Sequence, residues 1–192
     1  MFLLAMDLEA TCFGGPLERE PMEIIEFPAI LIGREDYEIK DIFHHYVKPT
    51  RRPILSDFCK NLTGIAQETV DASLELPEVL KLFQEWTDSK GIHPGNCTLI
   101  TFGSWDIKRA IPNACAAVNR PIPKILDLKL TGHANLKKIC LRETGTLPTT
   151  IPHIMANLNL EFKGKEHSEL DDTYNIVETI RNAKNWNITP TN

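Results

Sequence analysis

Long apolar runs are missing from this sequence of 192 residues. None approaches the roughly 20 residues that a transmembrane helix needs. The N-terminal run FLLAM is too short for the core of a signal peptide, follows no basic residue and leads directly into acids. These absences predict no membrane association and a cytoplasmic location, or a nuclear one in a eukaryote.

Positive charge and closely spaced cysteines are also scarce. Lys and Arg number 21 against 26 Asp and Glu, and the net charge of −5 argues against a broad basic surface for nucleic acid. This balance still allows an enzyme with a small acidic metal site and local basic contacts. The cysteines are odd in number and form no C-x-x-C, so neither a zinc site nor a disulfide framework is expected. They are Cys12, Cys59, Cys97, Cys115 and Cys140.

The stretch that organises the chain is at its N-terminus, where five apolar residues lead into Asp7-Leu8-Glu9. Such a run predicts a buried strand, although periodicity does not distinguish it from a buried helix. In a strand, Asp7 and Glu9 point to the same face. Two adjacent carboxylates taken out of water need a positive partner, and because the run holds no Lys or Arg, one interpretation is a metal cation. The other is that the strand ends at Met6 and both acids are solvated.

The order of the later elements predicts an α/β fold. Residues 22–33 and 37–47 are typical of a β-hairpin that continues the first strand in a three-strand antiparallel meander, and residues 98–102 of a further buried strand. Helices are predicted at 56–61, 76–89, from 105 onward, 113–119, 135–142, 150–158 and 168–182. The pattern indicates a mixed sheet with helices packed on it. We expect a single domain at 1–187 and a frayed tail at 188–192.

Four local features carry further predictions. Pro28 indicates a bulge or an edge position in its strand. Residues 10–21 are predicted to form a loop, and residues 122–130 a short strand followed by a turn. Ser168 is the expected N-cap of the last helix, with Asp171 folding back on it in a capping box.

Acids recur where apolar strands end and helices begin. Asp106 follows the strand at 98–102, and Asp171 and Asp172 open the last helix just after His167. Each has a structural explanation, because an acid in the first turn complements the helix dipole and a single His is usually a surface residue. Asp171 is explained by the predicted cap, whereas Asp172 is not.

Taken together, these acids favour a metal site at one edge of the sheet, where ligands bind in open α/β folds. Clustered carboxylates without an internal cation repel one another and suit Mg²⁺ or Mn²⁺. Two such ions about 3.5–4 Å apart are the usual arrangement for phosphodiester hydrolysis. His167 is then the candidate acceptor for the proton of the attacking water.

The sequence resembles the DEDDh three-prime-to-five-prime exonucleases of the ribonuclease H-like fold, through Asp7-Leu8-Glu9, Asp106, and His167 four residues before Asp172. It is most similar to the subfamily of the three-prime histone mRNA exonuclease and the "enhancer of RNA interference" nucleases. The matching stretches are DLEATC (7–12), EIIEFP (23–28), YVKP (46–49), LSDFCKNLTGIAQETVD (55–71), TFGSWD (101–106) and HSELDDTYNI (167–176). Six motifs in order, spread over almost the whole chain, are highly specific.

The resemblance implies a mixed sheet of ribonuclease H type and a role for each site residue. Asp7, Glu9 and Asp172 would ligate two Mg²⁺ or Mn²⁺ ions, Asp106 would act on the second largely through water, and His167 would be the general base. The terminal nucleotide would contact the residues Leu8, Ala10, Thr63, Gly64, Ile65, Trp105 and His167. Trp105 would be a stacking platform, and its alternative is a core residue. Glu169, often Gly in relatives, would weaken substrate binding slightly.

The implied activity is removal of nucleoside 5′-monophosphates from single-stranded or overhanging three-prime ends, with RNA expected as the substrate more than DNA. The phosphate path would use Lys48, Arg51, Arg52, Lys108 and Arg109, and binding would be weak and salt-sensitive. Two alternatives stay open: a phosphodiesterase of short oligonucleotides, and a catalytically silent module that binds nucleic acid. The residues predict no particular oligomeric state and are compatible with a monomer.

Overall fold

A mixed seven-stranded β-sheet runs through the centre of the molecule. The structure, a computed structural model, describes residues 1–14, 21–183 and 185–191, without the side chain of Glu169. The strands are β1 (Phe2–Met6), β2 (Glu9–Ala10), β3 (Ile24–Gly33), β4 (Ile39–Lys48), β5 (Leu74–Glu75), β6 (Cys97–Thr101) and β7 (Gly132–Asn135). Their order is β5-β4-β3-β1-β6-β7, and β2 continues the line of β1 by pairing with β3. The predicted antiparallel meander of β1, β3 and β4 is confirmed.

Helices cover both faces of this sheet. They are α1 (Asp57–Thr63), α2 (Gln67–Asp71), α3 (Leu76–Ser89), α4 (Ile111–Ala117), α5 (Leu136–Thr144), α6 (Ile151–Ala156) and α7 (Glu169–Asn182), with a π-helical turn at Asp106–Ala110 and a 3₁₀ turn at Lys124–Leu126. The Ser56 hydroxyl caps α1 by accepting the amide of Cys59, as predicted. Within the described residues, no helix is long and apolar enough to cross a membrane.

Alternation along β1 divides the core into two layers. Leu4 and Met6 pack on one face with residues of α3 and α4, while Leu3 and Ala5 pack on the other with residues of α5, α6 and α7. Continuing this alternation directs Asp7 toward the α5–α7 face. The alternation of β1 therefore directs Asp7 toward the layer in which α7 carries Asp172.

Pro28 lies inside the sheet, and its predicted edge position is wrong. β3 pairs with β1 on one side and with β4 on the other, and the register shift between β3 and β4 falls further along the strand. Opposite Pro28 the first strand is interrupted: Met6 pairs with Ala29 and Glu9 with Glu26, but no pair joins β3 to the residues between. The absent N–H of Pro28 therefore costs no hydrogen bond on that side.

The strand predicted within residues 122–130 is also wrong. That segment forms the 3₁₀ turn and a following turn, and the strand β7 comes after it, parallel to β6. β7 has only four residues, Gly-His-Ala-Asn, so its sequence shows neither a β-branched run nor a clear alternation.

The C-terminal segment does not fray over residues 188–191. Ile188 is 5% exposed and packs in the α5–α7 layer. The amide of Thr191 donates to the carbonyl of His133 at 2.8 Å, and its hydroxyl accepts the amide of Asn135 at 3.0 Å. The tail is thus docked along β7. Residues 184 and 192, and residues 15–20 of the predicted loop at 10–21, lie outside the described part of the chain.

Candidate active site

Asp7 and Glu9 occupy the interruption between β1 and β2. Asp7 follows the last residue of β1, and Glu9 opens β2. Because the ladder is broken here, the amide of Leu8 is not used in the sheet and donates to Asp106 Oδ1 at 3.0 Å. The interruption between β1 and β2, which lies opposite Pro28, thus allows a hydrogen bond between the Asp7-Leu8-Glu9 motif and Asp106.

Asp106 opens the π-helical turn five residues after the end of β6 and is only 4% exposed. Its carboxyl group shares a hydrogen bond with the side chain of Asp7. Burial raises the pKa of Asp106 to about 6, and the negative charge of Glu9 adds to the rise, while the amide of Leu8 opposes it. A π-helical turn is a rare feature that occurs often at functional sites.

Asp172 and His167 come from the start of α7 and the loop before it. Asp172 is 6% exposed, and its Oδ2 accepts the amide of His167 at 2.9 Å. This bond fixes the backbone of the exposed residue His167, whose φ of 64° is in the left-handed region that residues other than glycine seldom adopt. Burial raises the pKa of Asp172 to about 6, although His167 lowers it; Glu9 and Glu166 raise it further.

Ser168 occupies the N-cap position of α7, as predicted, but the predicted capping box does not form. The side chain of Ser168 makes no capping hydrogen bond. Asp171 Oδ2 instead accepts the amide of Lys165 at 3.0 Å, and its carboxyl group lies against Gly164, whose φ is +90°. Asp171 is therefore structural, as expected, but it shapes the loop before His167. The side chain of Glu169, which was expected to weaken substrate binding slightly, lies outside the described part of the chain.

Four acidic residues thus lie close together at one edge of the sheet: Asp7, Glu9, Asp106 and Asp172. Hard carboxylate oxygens are the donors that Mg²⁺ and Mn²⁺ prefer. Burial raises the pKa values of Asp106 and Asp172, and the negative charge of Glu9 adds to both rises, so a bound cation would stabilise the charged cluster. The residues fit divalent ions in chemistry and charge. Among the described residues, however, no three His, Cys, Asp or Glu side chains already form one coordination group. Metal binding therefore rests on the donor set and its electrostatics.

Trp105 borders this cluster and is not a core residue. It is 37% exposed and immediately precedes Asp106. Together with Ala10, Arg51 and Arg109 it lines a cavity of about 440 Å³. An aromatic face beside two guanidinium groups can stack a base and contact phosphates.

The other predicted nucleotide contacts are mostly buried. Leu8, Thr63 and Ile65 are 3–5% exposed, and the Thr63 hydroxyl donates to the carbonyl of Cys59. Gly64, the left-handed C-cap of α1, is exposed and so close to Lys165 that a Cβ there would clash with the Lys165 ammonium group. The turn at 63–65 is therefore adjacent to the His167 loop, and its contact with substrate stays a prediction.

A second cavity, of about 250 Å³, includes Lys137, a residue that the sequence analysis did not predict for the site. Asp7, His167 and Asp172 line it together with Lys137 and Phe102. Lys137 lies in the first turn of α5, after the strand that the sequence pattern missed. One signal was available, since α5 opens with two lysines where the helix dipole favours acids.

A family model described as Exonuclease (RNase T) matches residues 4–180. The chain belongs to this exonuclease family. The match spans β1 to α7 and thus includes all four acids and His167.

Curated relatives indicate where the chain belongs within this family. It is 33% identical over 183 residues to ERI1 exoribonuclease 3 of Homo sapiens, an alignment that covers 94% of this chain and 52% of the relative. It is 34% identical over 182 residues to 3′-5′ exoribonuclease 1 of Rattus norvegicus, covering 92% of this chain and 51% of that one. The chain spans about half the length of these curated relatives.

A solved structure supports the same placement. The nuclease domain of 3′hExo, described as a DEDDh family member bound to rAMP, superposes with a TM-score of 0.88 at 29% identity and covers 98% of this chain and 96% of its own. The resemblance to the DEDDh exonucleases and the ribonuclease H-like fold class are confirmed.

Proposed function

We propose that this exonuclease removes nucleoside 5′-monophosphates from the three-prime end of single-stranded or overhanging nucleic acid, RNA before DNA. The observation that carries the proposal is the meeting of Asp7, Glu9, Asp106 and Asp172 at one sheet edge beside His167. A phosphodiester is negatively charged, so this acidic edge accepts one only with cations in place.

The acids are assigned to metal binding. Asp7 and Glu9 at the strand break, with Asp172 on α7, would hold two divalent ions, and Asp106 would act on the second through water. When bound, such ions supply Lewis-acid stabilisation of the phosphate and an activated water. The hydrogen bond from the amide of His167 engages one carboxylate oxygen of Asp172 and leaves the other for a cation.

His167 is assigned the proton transfer. Its exposure on the cavity that Asp7 and Asp172 also line leaves the imidazole accessible to a water there. An imidazole is largely neutral near pH 7 and can accept the proton of the attacking water. The bond from its amide to Asp172 links the position of this base to a metal-binding acid.

Trp105 and two arginines are assigned to binding the nucleotides of the substrate. The exposed Trp105 ring would stack a base, with a contribution of roughly 1–3 kcal/mol that does not depend on the base. Arg51 and Arg109 line the same cavity and would contact the phosphates. The preference for RNA is supported by the names of the relatives, which are exoribonucleases.

One assay tests the proposal and separates its alternatives. Single-stranded RNA and the equivalent DNA, both labelled at the five-prime end, are incubated with Mg²⁺, Mn²⁺ or EDTA. A metal-dependent ladder that shortens from the three-prime end is expected, with RNA cleaved faster. Retention of RNA without shortening would indicate a silent binding module, and cleavage of only the shortest oligomers would indicate an oligonucleotide phosphodiesterase. Either result contradicts the proposal.

Two substitutions assign the roles. Asp7→Asn is expected to abolish cleavage because it removes a charge from the metal-binding group. His167→Asn is expected to lower kcat by roughly 10²–10⁴-fold while metal binding persists. Asn tolerates the left-handed backbone of this position, so little strain is added. A His167→Asn enzyme that cleaves at the wild-type rate would exclude His167 as the base.

A further inference from the structure

Lys137 lies in the cavity of the candidate active site but takes no part in the mechanism above. The cavity of about 250 Å³ is lined by Lys137 together with Asp7, His167 and Asp172. Glu166 lines it as well, so its acids outnumber its cations. Among the described lining residues, Lys137 is the one lysine or arginine.

Three contacts fix the position of Lys137. Its amide donates to the carbonyl of Phe102 at 3.1 Å, which joins the start of α5 to the chain that leads from β6 to Asp106. Its ammonium group lies 4.5 Å from the centre of the Phe102 ring and donates to the carbonyl of Thr149 at 3.2 Å. The ring and the carbonyl hold the charge on the wall of the cavity.

The ammonium group keeps capacity for a ligand. A lysine has three N–H donors, and the Thr149 carbonyl accepts one. Within the described residues, no carboxylate lies at ion-pair distance from Lys137, although acids line the same cavity. A second lysine beside it in the first turn of a helix is unfavourable to the helix dipole. Local stability therefore does not explain this charge, whereas an anionic ligand in the cavity does.

We propose that Lys137 contacts the substrate by donating to a non-bridging oxygen of the scissile phosphate. After cleavage the same phosphate is the 5′-phosphate of the released nucleotide, so Lys137 would also bind the product. The inference rests on the proposed function for the identity of the anion. Arg51 and Arg109, in the other cavity, would meet phosphates further from the three-prime end.

Product binding tests this role without measuring cleavage. The affinities of AMP and adenosine are measured by calorimetry in Mn²⁺ for the wild type, Lys137→Gln and Lys138→Gln. Gln keeps a donor for the Thr149 carbonyl but removes the charge, and Lys138→Gln removes an equal charge from the neighbouring exposed residue, outside the cavity. We expect Lys137→Gln to weaken AMP about tenfold or more with adenosine unchanged, because charge-assisted bonds to phosphate are strong. Lys138→Gln should change neither, and Lys137→Arg should restore most of the affinity for AMP.

Kinetics with a single-nucleotide substrate give a second readout. The p-nitrophenyl ester of thymidine 5′-monophosphate has the scissile phosphate but no penultimate nucleotide. Lys137→Gln should lower its kcat/KM about tenfold or more, whereas the control Lys138→Gln should leave it unchanged.

The outcomes separate this inference from the proposed function. If the wild-type protein fails to shorten RNA, the proposed exonuclease activity is wrong. A wild type that shortens RNA, with a Lys137→Gln variant that binds AMP normally, overturns the Lys137 role alone. Equal losses for AMP and adenosine would mean that Lys137 only anchors the Thr149 loop, and absence of AMP binding by the wild type would also overturn the inference.

Discussion

Asp106 shows how an acid of the candidate active site can oppose the stability of the fold that holds it. The residue is 4% exposed, and its pKa rises from 3.8 to about 6 because burial disfavours the charged form. The folded protein therefore binds more protons than the unfolded chain between about pH 4 and pH 6. Its free energy of unfolding falls as pH rises through that window, and the loss is complete above pH 6. A shift of this size corresponds to about 3 kcal/mol at most.

Asp106→Asn is accordingly expected to stabilise the metal-free protein while abolishing cleavage. Asn retains an oxygen to accept the amide of Leu8 and can donate to Asp7, but it carries no charge. Urea unfolding in EDTA at pH 7.5 should show a free energy of unfolding about 1–3 kcal/mol higher than that of the wild type. The difference should disappear near pH 4.

The control for this prediction is Asp127→Asn, a substitution before β7 at the opposite end of the sheet. It should produce no comparable gain that depends on pH. A destabilised Asp106→Asn protein at pH 7.5 would mean that the carboxylate is held by favourable contacts and that the acidic cluster is not short of positive charge.

At the scale of elements, the C-terminal segment is a structural part of the sheet edge. Ile188 is buried against the α5–α7 layer, and its carbonyl accepts Arg34 Nη2 at 2.8 Å. Thr191 then contacts β7, whose last residue, Asn135, caps α5. The tail thus supports the helix that carries Lys137.

Ile188→Ala should therefore destabilise the protein by about 2–4 kcal/mol, since it leaves a cavity in a packed layer. The free energy of unfolding is measured by urea denaturation, with Ile54→Ala as the matched control. Ile54 is 71% exposed, so its truncation should change stability by less than about 0.5 kcal/mol. An equally small effect of Ile188→Ala would restore the prediction of a frayed tail.

The elements that were predicted correctly are those in which the spacing of apolar residues reflects which side of the element is buried. α3 lies at 76–89, as its apolar spacing predicts, because one stripe of the helix faces the core. The sequence failed where long-range pairing decides the structure. β7 is a strand because β6 pairs with it, and Pro28 is tolerated because another strand is broken opposite it. Neither cause is local.

The candidate site follows the same division. The proximity of Asp7 to Asp106 and to His167 could be predicted, because each residue belongs to a short motif with fixed spacing. The capping box at Ser168 was wrong because Asp171 bonds to the loop before the helix instead of to its N-cap. Lys137 was missed because its place beside Asp7 depends on how α5 meets the end of β6, which no motif records.

At the scale of the whole molecule, a net charge of −5 leaves few cations to hold a polyanion. Those that line the two cavities of the site are Arg51, Arg109 and Lys137, and Arg51 also lies 3.8 Å from a carboxylate oxygen of Glu23. Each phosphate contact with single-stranded nucleic acid releases counterions and contributes a slope of about −0.7 to the dependence of log affinity on log salt concentration. Three contacts predict a total slope of about −2.

Arg109→Gln should reduce that slope by about 0.7 and weaken RNA binding at low salt, because one phosphate contact is lost. The measurement uses the Asp7→Asn protein, which is expected not to cleave RNA, with and without Arg109→Gln. Its affinity for single-stranded RNA is measured between 50 and 300 mM KCl, about a sixfold range of salt concentration that resolves the loss of one contact. Arg120→Gln is the control, since Arg120 is exposed in a groove beside α3 and does not line either site cavity. If Arg109→Gln and Arg120→Gln shift the slope equally, the protein attracts RNA through its overall charge. If only Arg109→Gln shifts it, the strand runs past Trp105 toward the acids, because Arg109 is exposed on the same π-helical turn as Asp106.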